Sequence, residues 1–330
     1  MRILFVFTGG TIGSTLDGNV ISTDESKAYR IIEAYRDRYG IDFEYDMIEP
    51  YTALSENNTG DTVRVLCESV REKLGCGYDG IILTHGTDTL AYSSAALGYA
   101  LGLDTIPVCI VSSNRPIEHE RANALDNLYG AVSFIRGGCG HGCFVVYRND
   151  NSSTVRVHRA TRLLGPKAYS DDVSSIGGCV YGHFDASFNF VRNDSYRECA
   201  DVLQPIPTAS LGESSDAIMM IQSYPGMRYP TLDRDVRYVI VNTYHSGTLD
   251  TLSERARSFY LSCKERGIAV FATGVSEGPN YASAEEFLAL GITAIANISP
   301  VSAYMKIWML TSAELDVASL TDSLSGDIMI

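Results

Sequence analysis

The chain is short of basic residues. It has 26 lysines and arginines against 40 aspartates and glutamates, a formal net charge of -14. Nucleic acid and anionic membrane surfaces both require a basic footprint, so neither is expected as the main partner. No apolar run approaches membrane-spanning length. Met1 to Phe7 carries one charge and a five-residue apolar run, too short for the apolar region of a secretion signal, and no small-residue cleavage site follows. That start reads as a first core strand of a cytoplasmic protein. There is no Cys-x-x-Cys among the cysteines at 67, 76, 109, 139, 143, 179, 199 and 263. Cys139-Gly140-His141-Gly142-Cys143 is poorly spaced for zinc and no second cluster answers it. No metal is expected, and the cysteines read as cytosolic thiols. Internal repeats and low-complexity tracts are also lacking.

What is there is a full complement of core residues, 45% apolar in 330 residues, enough for two domains. Strand-like and helix-like stretches alternate, which predicts an α/β fold. Residues 2–7, 81–83, 107–111 and 144–147 read as strands, with helices to about Tyr39 and over 63–74, 90–100 and 122–135. Phe144–Tyr147 and Thr154–His158 flank a polar turn and read as a hairpin. Asp24 or Ser26 is expected to cap the first helix. Between Asn193 and Asp216 the pattern weakens into prolines, serines and a glycine. We therefore expect an N-terminal catalytic α/β domain over 1–192, a linker over 193–216 and a smaller C-terminal α/β domain over 217–330. In the latter, 217–221, 238–241, 268–271 and 292–296 read as strands. Ser299-Pro300 opens a helix, 301–310, that is apolar nearly all round and so should be buried.

Two stretches carry chemistry. Gly80 to Leu90 runs from a buried strand through His85-Gly86-Thr87-Asp88-Thr89 into a helix of small residues. Thr8-Gly9-Gly10-Thr11-Ile12-Gly13 follows the first strand in the same way. Open α/β sheets bind ligands at such strand ends, and helix-start N–H groups hold anions or carbonyl oxygens. The competing expectation is that Thr87 or Asp88 merely caps the helix. A dinucleotide fingerprint would need glycine where Thr8 stands, so the nucleotide reading is only partly matched. Ser14 to Ile21 is a polar, glycine-punctuated segment suited to a lid. A threonine hydroxyl becomes a nucleophile only with a base, an orienting group and an oxyanion site. If Thr11 and Thr87 face one pocket, with Asp88 gripping an ammonium group or orienting a lysine of lowered pKa, acyl transfer on a small cationic carbonyl compound becomes feasible.

Together, Thr8–Gly13 and Thr84–Thr89 resemble the two signatures of the bacterial-type L-asparaginase/glutaminase family, of the cytoplasmic type. Further similarity extends over nearly the whole chain. Ser55-Glu56-Asn57 resembles the family's substrate-binding segment, and Ser113-Asn114-Arg115-Pro116 its Arg-Pro loop. Tyr224–Met227 and Thr243–Gly247 are similar to its second-domain turns. The resemblance implies a doubly wound N-terminal domain, a smaller C-terminal α/β domain, and a homodimer or homotetramer in which the neighbour's C-terminal domain closes each site. It implies Thr11 as nucleophile, with Thr87, Asp88 and Lys167 as the group that activates hydroxyl or water. Ser55 would take the substrate's α-carboxylate and Asp88 its α-amino group. Gly10, Glu56, Gly86 and Ser113 complete the implied substrate pocket. No metal or organic cofactor is implied, and the substrate would be L-asparagine, with L-glutamine weaker or alternative.

The chain departs from that pattern at three places. Asn19 stands where the lid tyrosine is expected, with Tyr29 nearby in a helix. The lead-in to Lys167 is about two residues longer than usual, although Lys167 to Asp171 keeps the family spacing. Glu56 replaces a neutral residue and Asn57 an acid. His85 is expected to be structural, and the other five histidines form no site. The rival readings are a non-catalytic relative that binds an amino acid, an amide-cleaving subunit feeding ammonia to tRNA-dependent amidation, which should carry an extra N-terminal domain, and a nucleotide-binding protein resting on Gly9, Gly10 and Gly13.

Overall fold

The computed structural model describes residues 1–9, 14–17, 20–23, 28–278 and 281–330, with the backbone alone for 14–17, 20–23, 28 and 29. The expected caps Asp24 and Ser26 lie outside the described residues.

Alternation along the first strand sets the architecture. In β1 (Arg2–Phe7), Ile3, Phe5 and Phe7 face one core, and Leu4 and Val6 face another. A strand buried on both faces needs helices on both, which is the condition for a parallel sheet. β1 pairs in parallel with β4 (Glu44–Ile48) on one side and with β5 (Gly80–Thr84) on the other. β6 (Val108–Val111) and β7 (Cys143–Tyr147) continue the parallel ladder beyond β5. β8 (Arg156–Arg159), β9 (Gly182–Phe184) and β10 (Phe190–Arg192) then extend the sheet antiparallel to eight strands. The expected hairpin is the β7–β8 pair. Helices α1 (Ala28–Tyr39) and α4 (Ala124–Arg136) cover the Phe5 face. On the Leu4 face lie α2 (Gly60–Lys73) and α3 (Leu90–Leu101).

A second sheet of four parallel strands follows, in the order β11 (Ile218–Gln222), β12 (Tyr238–Asn242), β13 (Ala269–Val275), β14 (Ile292–Ala296). Helix α5 (Glu254–Glu265) covers one face, and a one-turn helix α6 (Ala282–Glu285) precedes β14. Residues 193–216 contain no regular element, yet Tyr196, Ile206, Thr208 and Leu211 are buried, and Ile206 N–H donates to the Tyr99 carbonyl at 2.8 Å. The stretch is a packed strap.

Helix α7 (Pro300–Ser312) begins as the sequence suggests, with the Ser299 hydroxyl accepting from Ser302 N–H and Pro300 in the first turn. Its apolar circumference has two partners. Val301, Met305 and Met309 join the large-sheet core with α3, whereas Ala303 and Ile307 pack on Ile240 and Ile295 of the small sheet. Among the described residues, no helix is long and apolar enough to cross a membrane.

His158, on β8, is 1% exposed, and its Nδ1 lies 2.8 Å from Ser175 Oγ. Burial, and secondarily the charge of Arg156, pulls its pKa from 6.5 down to about 3. The unfolded chain takes up this proton near pH 6.5 and the folded chain does not, so stability present above pH 6.5 is lost as pH falls toward 3. The slope approaches about 1.4 kcal/mol per pH unit. In urea unfolding at pH 7.5 and 4.5, His158→Gln should lose less stability on acidification than wild type. Equal losses in the two proteins would remove this group as a source of acid sensitivity.

Candidate active site

The five parallel strands of the large sheet run β4-β1-β5-β6-β7. Chain progression therefore reverses at β1, and the crevice outside the carboxyl ends of β1 and β5 is the topological switch point, where open α/β sheets place ligands. Phe7 and Thr84 are register partners, and the Thr8 hydroxyl donates to the Thr84 carbonyl at 2.7 Å. The loops after both strands thus leave the sheet side by side. A third loop joins them. Gly9 bridges to Ala53, and Ala53 N–H donates to Thr8 O at 3.2 Å. At Gly9, φ is +88° and a Cβ would sit 2.6 Å from Ala53 O, so glycine is required for this close approach.

The third loop enters a short 3-10 turn, Ser55–Asn57. Ser55 is buried and its hydroxyl donates to Asp88 Oδ2 at 3.2 Å. Behind it runs a chain of polar side chains. Thr89 Oγ1 donates to Ser55 O at 2.9 Å, and Asn58 Nδ2 donates to Thr89 Oγ1 at 3.1 Å. Asn58 Nδ2 also lies 3.3 Å from His85 Nε2, while His85 Nδ1 lies 2.8 Å from Gly86 O. A carbonyl can only accept, so Nδ1 carries the proton and Nε2 accepts from Asn58. Burial pulls the pKa of this ring down, opposed by the bond to Gly86. His85 fixes the backbone of the Gly86–Asp88 turn.

Neither Thr87 nor Asp88 caps α3. The cap position is Thr89, with no side-chain capping bond, so the capping expectation is corrected. Thr89 spends its hydroxyl on Ser55 O instead. Thr87 is half-buried and Asp88 is exposed, both opening onto a cleft of about 460 Å³ whose far wall is Leu163–Val173. Lys167 lines this cleft, as expected, but is exposed. Among the described residues its side chain makes no hydrogen bond or ion pair. The far end of the wall is anchored, with Asn149 bonding both the N–H and the carbonyl of Val173 and Asp150 N–H donating to Asp172 Oδ1 at 3.0 Å. Its tip carries Tyr169, which is fully exposed and holds φ at +63°, a conformation costly for a bulky residue.

Asp171, in the same wall, is the residue that sequence reading undervalues. Burial, opposed by Arg115 and reinforced by Asp88, raises its carboxyl above the usual range. Ser113 is not brought to the cleft; it is buried and its hydroxyl donates to Arg115 O at 2.5 Å. Glu56 is exposed beside Ser55 and is not part of the cleft wall. Gly86 is buried in the turn. Gly10, Thr11 and Asn19 lie outside the described residues; the lid backbone on either side of Asn19 is a hairpin of β2 (Ser14–Asp17) and β3 (Val20–Thr23).

Comparison with solved structures gives the fold. The thermostable L-asparaginase from Thermococcus kodakarensis superposes with a TM-score of 0.78 at 19% identity, covering 99% of both chains. L-asparaginase I from Vibrio cholerae gives 0.78 at 20% identity over 100% of this chain and 99% of that one. Among curated proteins, a glutamyl-tRNA(Gln) amidotransferase subunit of Halobacterium salinarum is 24% identical over 98% of this chain and 78% of its own length. Its counterpart in Haloquadratum walsbyi is 28% identical over 73% and 53%. The profile described as "Asparaginase, N-terminal" matches residues 2–172, more than half of the chain, and the chain therefore belongs to the asparaginase family, a family of amidohydrolases.

Proposed function

We propose that this protein hydrolyses L-asparagine to L-aspartate and ammonia, with L-glutamine as the weaker or alternative substrate. The observation that carries the reading is the Ser55–Asp88 hydrogen bond at the β1/β5 switch point. It sets a hydroxyl and a carboxylate side by side, a pair matched to the α-carboxylate and α-ammonium of a free amino acid. Thr11 is the proposed nucleophile. Its Oγ attacks the side-chain amide carbon, the C–N bond breaks, and the hydroxyl proton goes to the departing nitrogen, which leaves as ammonia. The resulting acyl-threonine is opened by water, activated by Thr87 with Lys167 as base and Asp88 as orienting group. Backbone N–H groups at Gly86 and Thr87 are suited to hold the oxyanion. Lys167 has to swing inward for this role, and the exposed tip around it leaves room for that movement. Glu56 follows Ser55 in the chain and is expected to favour substrates with a free α-amino group.

The reading includes a homodimer or homotetramer whose C-terminal region, 217–330, closes the neighbour's site, and a cytoplasmic location. All eight cysteines are free, in keeping with a reducing compartment. The test is ammonia release by the purified full chain. We expect a higher kcat/KM for asparagine than for glutamine. Release from glutamine alone, or tight aspartate binding with no turnover of either amide, would overturn the assignment.

The likeness to a glutamyl-tRNA(Gln) amidotransferase component over nearly the whole chain favours a second reading, an amide-cleaving subunit that supplies ammonia to a partner. In that case hydrolysis should rise at least about tenfold on adding a partner protein with glutamyl-tRNA(Gln), a coupling of ~1.4 kcal/mol. An asparagine rate unchanged by both favours the free-standing enzyme.

A further inference from the structure

A second cavity, of about 500 Å³, lies back to back with the substrate loop, where α2 and α3 meet the strap and α7. Tyr92, Tyr304 and Trp308 form its aromatic wall, with ring centroids 6.0 Å apart at 83° for the first pair and 5.7 Å at 52° for the second. Ser93 lines it, is 1% exposed, and its hydroxyl has no hydrogen-bond partner among the described residues. Asn58 Oδ1, also buried there, is likewise unpartnered, because the amide's bonds run through Nδ2. Glu213 adds an exposed carboxylate with no ion-pair partner among the described residues. A buried acceptor and a buried hydroxyl without partners, in the wall of a polar-and-aromatic hollow, are costly unless a ligand or water reaches them.

We propose that this hollow is a second small-molecule site, one that takes an organic ammonium with an apolar or aromatic body. Every free polar group in it suits a donor. Asn58 Oδ1 and the Glu213 carboxylate accept, Ser93 Oγ can accept, and aromatic faces attract a cation. Among the described residues no lysine or arginine lines it, so a carboxylate finds no counter-charge there, and the amino-acid substrate and product are poor occupants. Its frame is rigid. Gly60 N–H donates to Glu213 O at 3.0 Å, and a Cβ on Gly60 would meet Gly212 O at 1.8 Å and Trp308 at 2.7 Å. A ligand bonded to Asn58 Oδ1 acts on the substrate loop through Thr89 and the Ser55 carbonyl.

The binding claim is independent of the catalytic reading; only its coupling to the substrate loop rests on that reading. Trp308 is the one tryptophan in the chain, so its emission reports occupancy directly. The full chain is titrated with phenethylammonium and, as the neutral counterpart, 2-phenylethanol. We expect a saturable change with phenethylammonium that Glu213→Gln weakens up to about fivefold, the worth of one rim ion pair, with 2-phenylethanol indifferent to that substitution. The KM for asparagine should shift with little change in kcat. Three results overturn the site: no saturation up to about 10 mM, equal phenethylammonium affinity in wild type and Glu213→Gln, or displacement of phenethylammonium by aspartate, which would put it in the substrate cleft. A saturable signal with no asparagine turnover upholds the site and removes the enzyme reading alone.

Discussion

Thr87→Ala is expected to lower kcat for asparagine by on the order of 10⁴-fold, the scale seen when one member of a catalytic group acting as a unit is deleted. The fold should hardly notice. Thr87 is half-buried at the mouth of the cleft, follows the end of β5, and caps nothing. Losing its hydroxyl and methyl leaves neither a sealed cavity nor an orphaned buried partner, so stability should move by under about 1 kcal/mol. Aspartate binding should survive, because Ser55 and Asp88 keep their hydrogen bond. Thr11→Ala should cause a loss of the same order. Thr87→Ser, which restores the hydroxyl alone, should recover a large part of the rate. Steady-state ammonia release with a parallel aspartate titration separates chemistry from binding. Should both alanine variants stay within about tenfold of wild type, the pair of threonines has been misassigned.

Lys306→Met is the change expected to cost most in stability, about 3–5 kcal/mol. Lys306 and Asp327 are both 0% exposed, with Nζ 2.6 Å from Oδ2. Nζ also donates to Asp322 O, Tyr99 OH lies 3.2 Å from the same Asp327 oxygen, and Leu324 N–H donates to Oδ1 at 3.0 Å. Removing the lysine strands a carboxylate in the core with only neutral donors. Adding Asp327→Asn removes that charge too, so the double variant should be more stable than the sum of the single losses implies. Urea unfolding measures this directly. A Lys306→Met variant within about 1 kcal/mol of wild type would mean that the carboxylate is solvated or protonated at little cost.

The elements with strong local patterns are legible in the sequence. The apolar runs at 81–83 and 107–111, the hairpin around 148–153 and the Ser299-Pro300 start of α7 all appear where the residues put them. The two polar loops after β1 and β5 can be identified individually, but their adjacency is a property of strand order, which no local pattern encodes. Similarly, α7 can be recognised as buried all round without any sign that it serves two sheets. Nothing local marks Lys306 either, because its partner, Asp327, lies in a separate segment. The bond from the Ser113 hydroxyl to the Arg115 carbonyl, two residues away, likewise has no sign in the sequence. Asp171 looks like spacing for Lys167, and only the packing of the wall around it reveals a carboxyl with a perturbed pKa. Residues 193–216 look like a tether because prolines, serines and a glycine break the periodicity, although Tyr196, Ile206 and Leu211 there are buried.

Helix α7 has a consequence for how the chain is made. The outer side of α3, the helix that lies on the Leu4 face of the first sheet, is sealed by Val301, Met305 and Met309, which leave the ribosome long after the helix they cover. The early strands and helices therefore wait with an open apolar flank through most of translation. A cell making this protein has to shield that flank, and a gene cut within the strap should yield an amino-terminal half that aggregates unless the other half is supplied alongside it.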